Sequence, residues 1–343
     1  MTGTIFAACP TPLLQYRQIV LGHGSGGRLT HELIKDVFAP PGPLEDQATL
    51  PFVAGRLAVT TDSFVVKPIF FPGGDIGKLA ITGSVNDLAV GGARPRFIAA
   101  AFILEEGLPL EDLRRIVASM RGACVECEVQ LVTGDTKVVD RGKGDQIFIS
   151  TTAVGEVPEG VSLSIAAARP GDRLLVSGTV GDHGIAILSV REGIELDTPL
   201  LSDCAPLTGL AQALLAAAPG VRCMRDPTRG GLSSALNEMC EASRVGVEID
   251  EDAVPLKPEV RGACEILGLD PLYVACEGRV MAAMPAEQAD HALAALRSHP
   301  LGREAAIIGR VVADHPGYVT VRSVFGGERV LAMLAGEQLP RIC

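Results

Sequence analysis

Residues 56–90 read Arg56-Leu57-Ala58-Val59-Thr60-Thr61-Asp62-Ser63-Phe64, then a glycine-rich turn, then Lys78-Leu79-Ala80-Ile81-Thr82-Gly83-Ser84-Val85-Asn86-Asp87-Leu88-Ala89-Val90. The first stretch predicts a strand over Leu57–Thr61 and the second a helix over Lys78–Val90. Outward from this pair the same alternation continues. Strands are expected at Phe97–Leu104, Val129–Thr133 and Gln146–Val154, with a helix at Leu110–Cys127. Glu156-Val157-Pro158-Glu159-Gly160 reads as a linker. Beyond it a second set is expected, with strands at Arg173–Ser177, Gly246–Ile249, Tyr273–Cys276, Arg279–Met284 and Ala305–Arg310. Its helices are expected at Ile185–Arg191, Leu207–Ala217, Arg229–Ala242 and Glu287–Ser298. Few clean βαβ units appear, so the fold class is α+β: two layered domains with sheets covered on one face rather than a doubly wound wheel. The division is an arm and glycine-rich loop over 1–42, a first domain over 43–157, a second over 161–320 and a tail over 321–343.

Composition limits the function classes. The 343 residues are 47% apolar but only 4% aromatic, with no tryptophan and 39 glycines, which suits mixed α/β domains with tight turns. Acidic residues outnumber basic ones 41 to 30, for a net charge of −11, and that argues against a nucleic-acid partner. No apolar run reaches membrane-span length, so no membrane partner is expected. The start of the chain lacks a basic region and a proper apolar segment, so it is not read as a signal. Nine cysteines, an odd number mostly in apolar contexts, fit a reducing, cytoplasmic setting. The single CxxC pair, Cys124 and Cys127, reads as two small core residues.

Gly22-His23-Gly24-Ser25-Gly26-Gly27 satisfies GxGxxG in form. The acids about twenty residues on follow Pro40-Pro41-Gly42-Pro43 rather than a second strand, so a dinucleotide site is not supported. A glycine loop ahead of a helix can offer N–H groups to an anion, or simply be flexible. Gly73-Gly74-Asp75-Ile76-Gly77-Lys78-Leu79 misses P-loop spacing by one residue, and Leu79 has no hydroxyl for a metal.

A series of aspartates at strand ends and glycine turns carries more information: Asp46, Asp62, Asp87, Asp135 and Asp226. Asp87 interrupts an apolar helix, where an unpaired carboxylate is costly. Scattered acids converging at strand ends suit magnesium held with substrate phosphates, although each alone commonly makes a turn or cap. Glu277 lies between apolar stretches, where Glu277-Gly278 reads as a hairpin turn. Lys137 reads as a strand-end lysine, and Asp182 and His183 as a helix cap. The chain stops at Pro340-Arg341-Ile342-Cys343, and a cysteine there is expected to sit on a loose tail as a chemical handle.

Together these segments resemble the HypE family of hydrogenase maturation factors. The resemblance is carried by Thr60–Val66, Phe70–Ala80, Asn86–Ala89, Gly134–Val139, Arg225–Gly231 and the ending Pro340–Cys343, and runs from about Ile19 onward. Glu45 departs from the pattern, since the family carries an aspartate there. The family is similar to the aminoimidazole ribonucleotide synthetase (PurM-like) superfamily. That likeness implies two α/β domains, a homodimer built as a barrel from the N-terminal mixed sheets, and ATP bound with magnesium without a P-loop. It further implies that Asp46, Asp62, Asp87 and Asp226 hold the metal, and that Gly24, Ser25, Gly26, Gly27, Lys78, Asn86 and Asp135 contact the nucleotide. Cys343, Glu277 and Lys137 are the implied catalytic groups. A HypF carbamoyltransferase would load the thiol and a HypC–HypD complex would receive cyanide made by ATP-dependent dehydration. Alternatives are another ATP-using synthetase of the superfamily, of selenophosphate or purine type, or a non-catalytic thiol carrier.

Overall fold

The structure, a computed structural model, describes residues 16–24, 28–38, 55–194, 198–323, 326–333 and 342–343. The first unit runs α1 (Arg28–Leu33), a π-helical turn at Ile34–Phe38, β1 (Arg56–Phe64), the small hairpin β2 (Phe70–Phe71) and β3 (Gly74–Asp75), α2 (Ile76–Val90), β4 (Arg94–Glu105), α3 (Leu110–Glu126), β5 (Gln130–Val139) and β6 (Ile147–Val157). Its four-stranded sheet has the order β1-β6-β4-β5, in which only β4 and β5 are parallel, joined by the α3 crossover. Apolar residues of α2 and α3 bury one face together with Ile98, Ala100, Phe102 and Leu104. The other face keeps Leu57, Val59, Ile103 and Leu131 exposed.

α2 is buried along almost its whole length, Lys78 and Asp87 excepted, so its apolar residues fall on more than one side. It packs on the first sheet and α3, while Ala89 and Val90 at its far end enter a core of the second unit. Asp75 caps its start, accepting N–H groups from Gly77 and Lys78. The stretch that nearly matches a P-loop is therefore a hairpin and a helix cap.

The second unit comprises β7 (Arg173–Val176), α4 (Asp182–Glu192), α5 (Thr208–Ala217), β8 (Cys223–Arg225), α6 (Gly231–Ser243), β9 (Gly246–Asp250), α7 (Pro258–Leu267), β10 (Met281–Met284), α8 (Ala289–Ser298), β11 (Ala306–Val312), β12 (Val319–Arg322) and β13 (Glu328–Val330). The strands form a seven-stranded sheet in the order β13-β12-β9-β11-β7-β10-β8. Separate apolar cores form from alternate residues of β7, β8 and β10: Leu174, Val176, Cys223, Met281 and Ala283 in one, Leu175, Met224, Ala282 and Met284 in the other. This sheet is covered on both faces, not one.

Several expectations need correcting. Tyr273–Cys276 is not a strand: Tyr273 ends a 3-10 turn, and the Cys276 N–H donates to the Pro227 carbonyl instead of joining a ladder. β13 pairs with β12, so the second sheet extends to Val330, ten residues past the boundary expected at 320. Ile19, Leu33 and Val37, in the stretch expected to be an arm, are buried in the first core. Cys124 and Cys127 are core residues, and burial pushes their thiols up to about 11 and about 12. Among the described residues no helix is long and apolar enough to cross a membrane.

Candidate active site

Where the two units meet, β1 and α2 from the first face the loops after β8 and before β10 from the second. Asp62, Asp87, Asp226, Thr228, Arg229, Glu277 and Cys343 line the resulting pocket. Ser84 Oγ donates to Asp62 Oδ2 at 2.9 Å, and Thr60 Oγ1 donates to Asp87 Oδ2 at 2.7 Å. Burial raises the Asp87 carboxyl above the usual range; the Thr60 bond opposes this and Asp62 adds to it. Asp226 is pushed up to about 7, first by burial and then by Asp87. Asp62 and Asp87 thus add negative charge around Asp226, which a cation would relieve. Among the described residues no three acidic, histidine or cysteine groups cage an ion by themselves.

Glu277 is 2% exposed and makes no hairpin. Its N–H donates to Asp203 Oδ1 at 3.1 Å, and its carbonyl accepts from Asn86 Nδ2, also at 3.1 Å. Asn86 also donates to the Ala205 carbonyl and accepts from the Leu207 N–H, so its amide is fully engaged by backbone. It braces the loop of Glu277 from the other unit, and no donor is left over for a nucleotide. Gly278 is required beside it, because a Cβ there would lie 1.8 Å from the Asp203 carbonyl oxygen. Arg279 bridges Asp203 and Asp182, and Lys257 also pairs with Asp182 at 2.7 Å. Asp182 is thus a buried ion partner, not a helix cap; Gly181 occupies the cap position without a side-chain bond.

One Glu277 carboxyl oxygen has no partner, and the carboxyl accepts a hydrogen bond from the Cys343 thiol. Burial, then Asp226 and Asp203, raise the Glu277 carboxyl well above the usual carboxylate range. Burial and Glu277 likewise keep the Cys343 thiol un-ionised, with Arg229 acting in the opposite sense. The thiol expected on a loose tail is docked here and half-buried, behind an Ile342 that is 4% exposed. With the sulfur in place the pocket retains only about 40 Å³. A neighbouring cleft of about 590 Å³, lined by Thr60, Leu163, Met224 and Arg225, shares Asp87 with it.

The remaining expected site residues lie elsewhere. Asp135 and Lys137 are exposed on β5, three strands from β1, or about 14 Å at ordinary strand spacing. Gly24 packs beside them; a Cβ on it would lie 2.5 Å from the Val138 amide nitrogen. Lys78 sits at the opposite end of α2 from Asp87, about 13 Å along the axis, with Nζ near the Gly73 carbonyl. In one chain, then, β5 and Lys78 do not reach the pocket. Ser25, Gly26, Gly27 and Asp46 lie outside the described residues. Asn86 was singled out for a different role, whereas Asp203 and the reach of His183 to Ile342 were missed. Each depends on contacts between residues more than seventy positions apart.

Models of AIR synthase related proteins match the chain, the N-terminal domain over residues 44–157 and the C-terminal domain over 169–322. The chain is 53% identical to carbamoyl dehydratase HypE of Cupriavidus necator, covering 100% of both. It is 48% identical to the Escherichia coli protein of that name, over 95% of this chain and 99% of the relative. Among solved structures, a hydrogenase maturation protein HypE in complex with ATP superposes with a TM-score of 0.90 at 48% identity, covering 94% of this chain and 99% of that one. The HypE chain of a HypE–HypF complex gives 0.79 at 45%, covering 90% and 100%. The chain belongs to the HypE family of carbamoyl dehydratases, built on two AIR-synthase-related domains.

Proposed function

We propose that the protein dehydrates a carbamoyl group carried on Cys343 to a thiocyanate, consuming ATP, and so supplies cyanide for the iron of a [NiFe]-hydrogenase. The observation that carries this reading is the position of the sulfur, against Glu277 and among Asp62, Asp87 and Asp226. A HypF-type carbamoyltransferase loads the thiol, consistent with the solved HypE–HypF complex of relatives. In the pocket, the thiocarbamate oxygen attacks the γ-phosphorus of ATP, forming a C–O–P linkage as the bond to ADP breaks. The nitrogen then gives one proton to Glu277, and as the C–O bond breaks the departing phosphate takes the second, leaving S–C≡N. ATP would have room in the larger cleft, which meets the pocket of the sulfur at Asp87. A magnesium ion held by Asp62, Asp87 and Asp226, with Asp46 as a further ligand, would neutralise charge on the transferring phosphoryl group.

Glu277 is the acceptor for an N–H proton. It must first lose its own, and neutralising Asp226 and Asp62 removes two of the charges that hold that proton in place. Lys137, with Asp135, Gly24 and the loop Ser25–Gly27, would act on the triphosphate from a second copy of the chain. The exposed apolar face carrying Leu57, Val59, Ile103 and Leu131 is the surface through which the homodimer forms. The CN group passes on to a HypC–HypD complex, which supplies the two electrons needed to release it from sulfur as cyanide and restore the Cys343 thiolate. All eight described cysteines are free thiols, in keeping with a cytoplasmic setting.

Intact-protein mass spectrometry tests the reading. Incubation with the carbamoyltransferase and carbamoyl phosphate adds a carbamoyl mass to Cys343, and ATP with magnesium then removes the mass of one water. A carbamoyl adduct that persists while ATP is consumed, or a dehydrated adduct on Cys343→Ala, defeats it.

A further inference from the structure

Next to the thiol, the Ile342 carbonyl oxygen stands 2.8 Å from His183 Nε2. A carbonyl only accepts, so Nε2 carries the ring proton. The other nitrogen, Nδ1, is 2.8 Å from Ser202 Oγ, and burial keeps the imidazole neutral, so Nδ1 accepts from the Ser202 hydroxyl. Ser202 Oγ in turn accepts from the Cys204 N–H, and the Ser202 N–H donates to the Pro72 carbonyl at 2.8 Å. Phe71, in the hairpin of the first unit, stands edge-on to the imidazole with ring centroids 5.5 Å apart. The ring is therefore fixed by groups of both units, with its single proton aimed at the arm. The Ile342 side chain joins the first core in the same cluster as Ile187 and Ala275. Gly184 lies beside it, with a Cβ position 3.5 Å from Ile342 Cδ1, an ordinary contact distance.

We propose that His183 and the apolar seat of Ile342 form a latch that holds the Cys343 arm in the pocket and frees it for loading when it opens. Its meaning rests on the reading of Cys343 as the cargo carrier. Because the hydrogen bond is to a backbone carbonyl, the latch holds bare and loaded arms alike. His183 touches no reacting atom; it is a positioning residue for the sulfur.

The test uses the full chain without nucleotide or carbamoyl donor, treated with iodoacetamide and followed by peptide mass spectrometry. His183→Phe keeps the ring volume but loses the donor, and should alkylate Cys343 about tenfold faster, the scale of one buried hydrogen bond. Ile342→Ala, outside both domain sheets, should give a similar rise even if the histidine variant folds poorly. His183→Gln, with an amide N–H able to reach the carbonyl, should restore most of the protection. Cys204 and Cys276 should stay unmodified throughout. Wild-type alkylation rates at Cys343 in both His183→Phe and Ile342→Ala would overturn the latch, as would buried thiols reacting in step with Cys343. Because the reagent reads only the open arm, a latch that behaves as expected in a protein that never dehydrates its cargo would fault the proposed function alone.

Discussion

The two sheets of this chain differ in how many faces they bury. In the second unit, Met281–Met284 is an unbroken buried run, and cores form on both sides. In the first unit, β1 alternates so that Leu57 and Val59 face outward, 52% and 64% exposed. A finished sheet carries residues that serve its own unit. One left bare on an apolar face points to a surface completed by something else. The expected site also splits in two: the pocket gathers at the junction of the units beside β1, while Asp135 and Lys137 stand on β5 at the far edge with Gly24 packed against that strand.

The largest expected effect comes from the buried half. Glu277→Gln should slow dehydration by about 100-fold or more, the usual scale for a lost proton acceptor, and accumulate the carbamoylated protein in single-turnover mass spectra. Ordinary turnover would clear Glu277 of that role. The β5 half is tested by mixing. If a second copy supplies Lys137, then Lys137→Ala and Glu277→Gln proteins, each inactive alone, should recover about a quarter of wild-type activity after subunit exchange, because each mixed dimer keeps one intact site. No recovery would confine the whole site to one chain.

A smaller effect concerns the cost of assembling acids in the pocket. The folded Asp226 carboxyl titrates at about 7, raised from 3.8. Between these values the unfolded chain ionises while the folded one stays protonated. The stability this group contributes is full below 3.8 and is lost as pH rises through 7. Asp226→Asn removes that loss. Without nucleotide or metal, its stability, followed by thermal melting, should exceed wild type increasingly from pH 4 to pH 7 and level off above, by up to about a few kcal/mol. A constant difference across that range would show that Asp226 is not held protonated.

Local periodicity made most elements legible, since Lys78–Val90 and Leu110–Cys127 announce helices from their own composition. α7 was equally legible and overlooked, with Pro258 at its first position and Gly268 closing it at φ 67°. β8, β12 and β13 are three or four residues long and draw their stability from neighbours in the sheet rather than from local pattern. At the site, the residue types of Asp62, Asp87 and Asp226 marked them out, whereas Glu277 read locally as a hairpin turn and was singled out only by the family resemblance. Their burial could not be read, because it depends on the loop of Glu277 meeting Asn86 across 191 positions. Asp182 and His183 look like a cap from local sequence alone. Their partners, Arg279 and Ile342, are 97 and 159 positions away.

The docked thiol hydrogen-bonded to a carboxyl has one more consequence. A sulfur kept un-ionised is a poor target for peroxide and other oxidants, which attack the thiolate. On the proposed function, the resting protein therefore shelters its cargo-bearing sulfur from oxidants and exposes it only while the arm is undocked.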